Sequence, residues 1–164
     1  MEIDMRPVTE SDSELILTWR NSSSARKVSQ SGEELSETEH AIWFESRIGR
    51  LSSEPFWIMS NDKKDLGFVR LDFSDNKRNS YVVSIFLKPE FRALGIGKQM
   101  LGLALNSVNS EYGVFQYRAI IKRDNLSSIK LFKGFGFELF ARVDDQFDEY
   151  RRSADLKDSN ALSI

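Results

Sequence analysis

Apolar positions along the chain change period several times, and each change marks an element. Ile3 to Val8 is a short β-type run interrupted by Pro7. Thr9 with Asp12 three residues on forms a capping box and predicts a helix over about 10–20. Ser36 with Glu39 repeats the device, and Ala41, Phe44, Ile48 and Leu51 follow at helical spacing, which predicts that these four face the core. Pro55 to Ser60 is an apolar run closed by Asn61-Asp62-Lys63-Lys64, a strand then a turn. Leu66 to Phe73 reads as a strand, Asn76 to Asn79 as a polar turn, and Tyr81 to Leu87 as a strand ended by Pro89. Leu101, Ala104, Leu105 and Val108 mark an amphipathic helix from near Lys98 to about Ser110. Val114 to Ile121 is a strand, Asn125 caps a helix to about Lys133, and strands over Gly134 to Arg142 and Gln146 to Arg151 finish the pattern. Strands in series followed by strand–helix alternation predict an α/β chain built on a mixed sheet with helices on both faces.

Composition narrows the chemistry. At 164 residues, with 40% hydrophobic residues, 12 Phe and 3 Trp, the chain is expected to form one domain over 1–154, followed by a polar tail over 155–164. A net charge of −2 argues against a nucleic-acid partner held by bulk phosphate attraction. With no Cys and a single His, disulfides, a Cys nucleophile and Cys- or multi-His metal sites are excluded, and no metal is expected. No apolar run approaches the ~18 residues of a membrane span, and the N-terminus lacks the shape of a secretion signal, so a cytoplasmic protein with no membrane partner is expected.

Between the strand ending at Leu87 and the helix near Lys98 lies Arg92-Ala93-Leu94-Gly95-Ile96-Gly97-Lys98. Glycines at a strand-to-helix turn let the backbone curl tightly and aim several N–H groups at one spot, backed by the positive end of the helix dipole. Such a turn suits an anion, most often phosphate. Gly95 and Gly97 are two apart and Gln99 follows Lys98, so the loop is not a Walker A; Met100 stands where a dinucleotide fingerprint needs its third glycine. The R-x-x-G-x-G-K pattern resembles the acetyl-CoA pyrophosphate loop of the GNAT N-acetyltransferases. A second segment, Asn125 to Phe137, resembles the other signature of that superfamily: Asn125, the small Ser128, the aromatic Phe132, then Gly136-Phe137. With the element order, the resemblance covers essentially the whole chain.

The resemblance implies a twisted, mostly antiparallel central sheet and acetyl-CoA as cosubstrate. It places the pantetheine arm along the backbone of Ile85, Phe86 and Leu87, and the pyrophosphate on the N–H groups of Arg92, Ala93, Leu94, Gly95, Ile96, Gly97 and Lys98. Asn125 and Ser128 fall by the thioester end, with Phe132 and Lys133 completing the cofactor set. Amides near Leu87 would polarise the thioester carbonyl. Many relatives carry Tyr at the position of Phe132, where its hydroxyl protonates the leaving thiolate; Phe has no proton to give, and Tyr117, Tyr150, Ser84 or a water are the alternatives.

On the acceptor side, Trp19-Arg20-Asn21, Arg26, and His40 with Trp43 form a set resembling the enzymes that acetylate nucleotide-linked amino sugars in pseudaminic-acid biosynthesis. His40 titrates in the range of a base, or packs beside Trp43 and Phe44. Trp19 and Trp43 stack on the acceptor or belong to the core. Arg20, Arg26, Lys27 and Arg47 are candidates to grip a diphosphate. The expected reaction is direct acetyl transfer to a primary amine, with a sugar nucleotide as the small-molecule partner. The other readings are protein N-terminal acetylation and a non-catalytic acetyl-CoA-binding module. A homodimer is compatible with all three.

Overall fold

The computed structural model describes residues 1–62, 64–74, 77–113 and 116–154, with the backbone alone for 77–79 and 109–112. The expected elements form in the expected order: β1 (Asp4–Pro7), α1 (Ser13–Asn21), α2 (Ser23–Arg26), α3 (Glu37–Ile48), β2 (Phe56–Asn61), β3 (Lys64–Ser74), β4 (Lys77–Leu87), α4 (Ile96–Tyr112), β5 (Gln116–Lys122), α5 (Leu126–Gly134), β6 (Glu138–Arg142) and β7 (Phe147–Ser153). The strands make one seven-stranded sheet in the order β1-β2-β3-β4-β5-β7-β6, antiparallel throughout except for the parallel β4–β5 pair, which α4 connects. Among the described residues no helix is long and apolar enough to cross a membrane.

Local chemistry explains the helix starts. The Asp12 carboxylate accepts from the Thr9 N–H at 2.8 Å and takes a bidentate grip from Arg6 at 2.8 Å on both oxygens, which holds its pKa below the usual carboxylate range. A 3₁₀ turn, Glu10–Asp12, precedes α1, so the regular helix starts three residues later than the pattern predicts. Ser36 and Glu39 close a reciprocal capping box at α3. Asn125 caps α5 by accepting from the Ser128 N–H at 3.3 Å.

Several boundaries differ from the sequence reading. The four-residue α2 lies in what reads as a polar connection. Lys77 to Asn79 extend β4 rather than turning; Asn76 lies outside the described residues, as do Val114 and the tail 155–164. Gly134 ends α5 and Gly136 turns with φ +83°, so β6 starts only at Glu138. On α3 the predicted face packs against the core through Phe44, Ile48 and Leu51, whereas Ala41 is exposed and the fully buried positions include His40 and Arg47 beside Phe44.

The buried positions of α3 include an arginine. Arg47 is 0% exposed and donates to Asp72 Oδ1 at 2.9 Å, to the Pro55 carbonyl at 3.1 Å, to the Leu71 carbonyl at 2.9 Å and to the Glu54 carbonyl. A buried guanidinium is tolerable when its N–H groups are satisfied this fully. It is therefore unavailable to a ligand, which removes it from the diphosphate candidates.

Alternation along the strands builds two cores. Trp57, Met59, Val69, Leu71, Tyr81 and Val83 pack with α4 and α5 on one face. Phe56, Ile58, Phe68 and Phe86 pack with Ile16 and Trp19 of α1 and Phe44 of α3 on the other.

Candidate active site

Among the described residues, β4 and β5 pair over Ser80–Gln116, Tyr81–Tyr117 and Val82–Arg118 alone. Beyond these the strands part, and on that side the backbone of β4 has no strand partner. A cleft of about 670 Å³ fills the gap, within the usual range for small-ligand sites. Its walls are Val82 to Phe86 of β4, Ala119 to Lys122 of β5, Asn125, Ser128 and Phe132 of α5, Arg70 and Asp72 of β3, and the segment between α1 and α3. A cavity of about 190 Å³ shares Ile85, Phe86, Asn125 and Ser128 with it and leads on to Leu87, Arg92 and Ala93. The close approach of β3 to β4 at this point depends on Gly67: a Cβ there would lie 2.0 Å from the Phe86 carbonyl oxygen.

The glycine loop sits at the mouth of the smaller cavity. Gly95 caps α4 with φ +76°, and Ala93 takes φ +61°, a left-handed conformation uncommon for a residue with a side chain. None of the N–H groups of residues 93–98 has a hydrogen-bond partner among the described residues; the first helical bond is Gln99 N–H to the Gly95 carbonyl at 3.3 Å. A Cβ on Gly95 would meet nothing within 4 Å. This is an open cradle of donors at a helix N-terminus, fitted to a pyrophosphate. Ile96 contributes only backbone, since its side chain is buried, whereas Leu94 and Lys98 are exposed. The Arg92 side chain donates to the Leu87 carbonyl at 3.0 Å and to Ser24 Oγ at 3.3 Å.

At the α5 end of the cleft, Ser128 Oγ accepts from Asn125 Nδ2 at 3.1 Å, which leaves its own hydrogen free to turn toward the cleft. Phe132, 3% exposed, lies one turn deeper, edge-on to Phe137 at 5.0 Å. Tyr117 is no substitute acid: it is buried, its hydroxyl donates to the Leu105 carbonyl at 3.5 Å, and burial drives its pKa up. Tyr150 is buried and lines neither cavity, whereas Ser84 faces the cleft. Lys133 is exposed near the far end of α5, away from both cavities.

The acceptor-side candidates divide. Arg20 lines the cleft, with its guanidinium carbon 4.1 Å from the centroid of the half-buried Trp43 ring. Trp19 is a core residue, stacked on Phe86 at 5.6 Å and Phe68 at 6.3 Å. Asn21 clasps Leu35, donating to its carbonyl at 2.8 Å and accepting from its N–H at 2.9 Å, so it closes the base of the α1–α3 segment. Arg26 donates Nε–H to the Gly32 carbonyl at 3.2 Å within that segment, and Lys122 pins the segment to β5 through the Lys27 carbonyl at 3.0 Å. Neither Arg26 nor Lys27 lines the cleft.

His40 does not reach the cleft, which withdraws it as the base. It is 2% exposed, stacked on Phe44 at 5.4 Å, and its Nε2–H donates to the Ser13 carbonyl at 2.9 Å. Nδ1 is buried without a partner, and burial, with a smaller contribution from Arg20, lowers the pKa below 6.5. The unfolded chain therefore takes up this proton first, so the stability His40 contributes is present above about pH 6.5 and is lost as pH falls through it. We expect the urea midpoint to drop between about pH 7 and 5.5, and His40→Gln, whose amide can still donate to Ser13, to flatten that drop. An unchanged slope in the variant would assign the pH dependence to other groups.

Sequence reasoning missed Arg70, Asp72 and the polar wall Ser29, Gln30 and Ser31. A signal for the first two existed: they fall two apart within the otherwise apolar run Leu66 to Phe73, in phase with Phe68. Among the described residues no group of three or more acidic or His side chains is arranged to hold a metal.

Comparison with known proteins bears on the fold and on the family. No curated protein sequence matches the chain. Among solved structures, a domain from Methanocaldococcus jannaschii superposes with a TM-score of 0.80 at 24% identity, covering 93% of this chain and 99% of that one. The spermidine N-acetyltransferase of Vibrio cholerae, solved with CoA and spermine, gives 0.80 at 13% identity, over 92% and 95%. A ribosomal L7/L12 alpha-N-protein acetyltransferase in complex with coenzyme A gives 0.79 at 13% identity, over 93% and 94%. The model of the acetyltransferase (GNAT) domain matches residues 2–138, and by that match the chain belongs to the GNAT acetyltransferases.

Proposed function

We propose that this enzyme moves acetyl from acetyl-CoA to the primary amine of a nucleotide-linked 4-amino-deoxy sugar. When bound, acetyl-CoA supplies the acetyl group as a thioester. The free N–H groups of residues 93–98 hold its pyrophosphate, the unpaired side of β4 at Ile85 to Leu87 holds its arm, and Asn125 and Ser128 line the cavity where that arm ends. N–H groups of β4 near Leu87 polarise the carbonyl. With Phe132 unable to donate, Ser84 of β4 and Ser128 of α5 are the hydroxyls on the strand and helix walls of the cleft that serve the departing sulfur, apart from Ser29 and Ser31 on the α1–α3 segment.

The observation that carries the acceptor reading is the wall built by the α1–α3 segment. Ser29, Gln30 and Ser31 face the cleft, while Asn21, Arg92 and Lys122 fasten the segment at its base and across both strand ends. A fastened wall of hydroxyls and an amide suits a small polyhydroxylated acceptor better than an extended peptide. The test is CoA release from acetyl-CoA with nucleotide-linked amino sugars run beside N-terminal peptides. Turnover confined to amino sugars is expected. Turnover confined to peptides would move the enzyme to protein acetylation, and tight acetyl-CoA binding with no turnover on either would overturn the acceptor reading.

A further inference from the structure

At the end of the cleft away from the glycine loop, the charges do not balance. Arg50 pairs with Glu54 at 2.9 Å and Arg47 with Asp72 at 2.9 Å. Arg70 shares that same Asp72, donating Nε–H to Oδ2 at 2.7 Å, and its outer nitrogens have no partner among the described residues. Arg20 has no ion pair among the described residues; its Nη1 is buried and unpartnered there, and burial together with the neighbouring Arg70 pushes its pKa down to about 10. The two guanidiniums share a platform, with carbons 4.1 and 5.1 Å from the Trp43 ring centroid. Both residues line the cleft. The nearest other acid in the lining, Glu33, is exposed on the α1–α3 segment.

We propose that Arg20 and Arg70, seated on Trp43 and steadied by Asp72, form a subsite for the phosphate groups of the acceptor. This rests on the acceptor reading above and supplies it with a different pair of arginines from the one the sequence suggests. After Arg47 and Asp72 are set against each other, the subsite is left with two positive charges. A diphosphate diester matches that charge, whereas a carboxylate would leave one positive charge unbalanced. Guanidinium pairs also fit phosphate oxygens bidentately, which a lysine could not reproduce.

The test is calorimetric titration of inorganic pyrophosphate into the enzyme saturated with CoA, so that the glycine loop is already filled. Binding is expected, with affinity at least ~10-fold weaker in Arg70→Gln and in Arg20→Gln, and partly restored in Arg70→Lys. In turnover, Arg70→Gln is expected to raise KM for a phosphorylated acceptor without changing KM for acetyl-CoA. Thermal melts confirm that each variant is folded, and Arg20→Gln, which breaks no ion pair, stands in should Arg70→Gln fail to fold. Pyrophosphate binding equal in wild type and both variants, or no binding below about 10 mM, overturns the subsite. Pyrophosphate binding that depends on both arginines, with no turnover of any sugar nucleotide, upholds the subsite and overturns the acceptor reading instead.

Discussion

Arg47→Met is expected to lower the unfolding free energy by about 3–5 kcal/mol, the range seen when one partner of a buried ion pair is removed. The side chain joins α3 to the start of β2 and to β3; its loss strands the carbonyls of Glu54 and Leu71 and one oxygen of Asp72, while the Pro55 carbonyl keeps only the Leu71 N–H at 2.9 Å. Methionine fills much of the volume and satisfies none of them. Lysine would fare little better, because a point charge on a flexible stem cannot reach four acceptors spread around a plane. Urea denaturation followed by far-ultraviolet circular dichroism measures the change. A loss under 1 kcal/mol, with an unchanged dependence on denaturant, would mean that the carbonyls find water instead and that the buried arginine is not what joins α3 to the sheet.

Gly97→Trp is expected to weaken acetyl-CoA binding by ~100-fold or more, about 2.7 kcal/mol, while leaving the fold intact. A Cβ at this position meets only Leu131 Cδ2 at 3.7 Å and Leu87 Cδ2 at 3.8 Å, ordinary contacts that alanine would tolerate. The rest of an indole has to project between α5 and the end of β4, over the N–H cradle. Calorimetry with CoA on Gly97→Ala and Gly97→Trp separates the two effects: alanine should bind nearly as well as glycine. Affinity within threefold of wild type in the tryptophan variant would show that the pyrophosphate sits elsewhere.

Much of this architecture is legible in the sequence because the signals are local. Capping boxes at Thr9–Asp12 and Ser36–Glu39, the Asn125 cap and the glycines before α4 each act within a few residues, and each falls where the folded chain uses it. What the sequence conceals is set by partners far along the chain. Arg47 looks like a surface charge until Asp72 and three carbonyls surround it. His40 looks like a base until the core closes over it and the carbonyl of Ser13, 27 residues away, accepts from its Nε2–H. Gly67 sits in an unremarkable stretch of strand, and its necessity appears only when the Phe86 carbonyl arrives beside it. Arg20 and Arg70 are 50 positions apart in the sequence, and only sheet and helix packing brings both to Trp43.

The division of the interior into two cores bears on how such an enzyme changes over evolutionary time. The loop and helices that serve the cofactor rest on the cluster around Met100, Leu101 and Phe132; the helices flanking the opposite wall rest on the cluster around Ile16, Trp19 and Phe44. Substitutions in separate clusters, more than about 7–10 Å apart, tend to add in their effects rather than interfere. A lineage can therefore remodel the α1–α3 side to admit a new amine while the donor side keeps its packing. Structures 13% identical to this chain, one from an enzyme named for a polyamine and another from one named for a ribosomal protein, retain its fold.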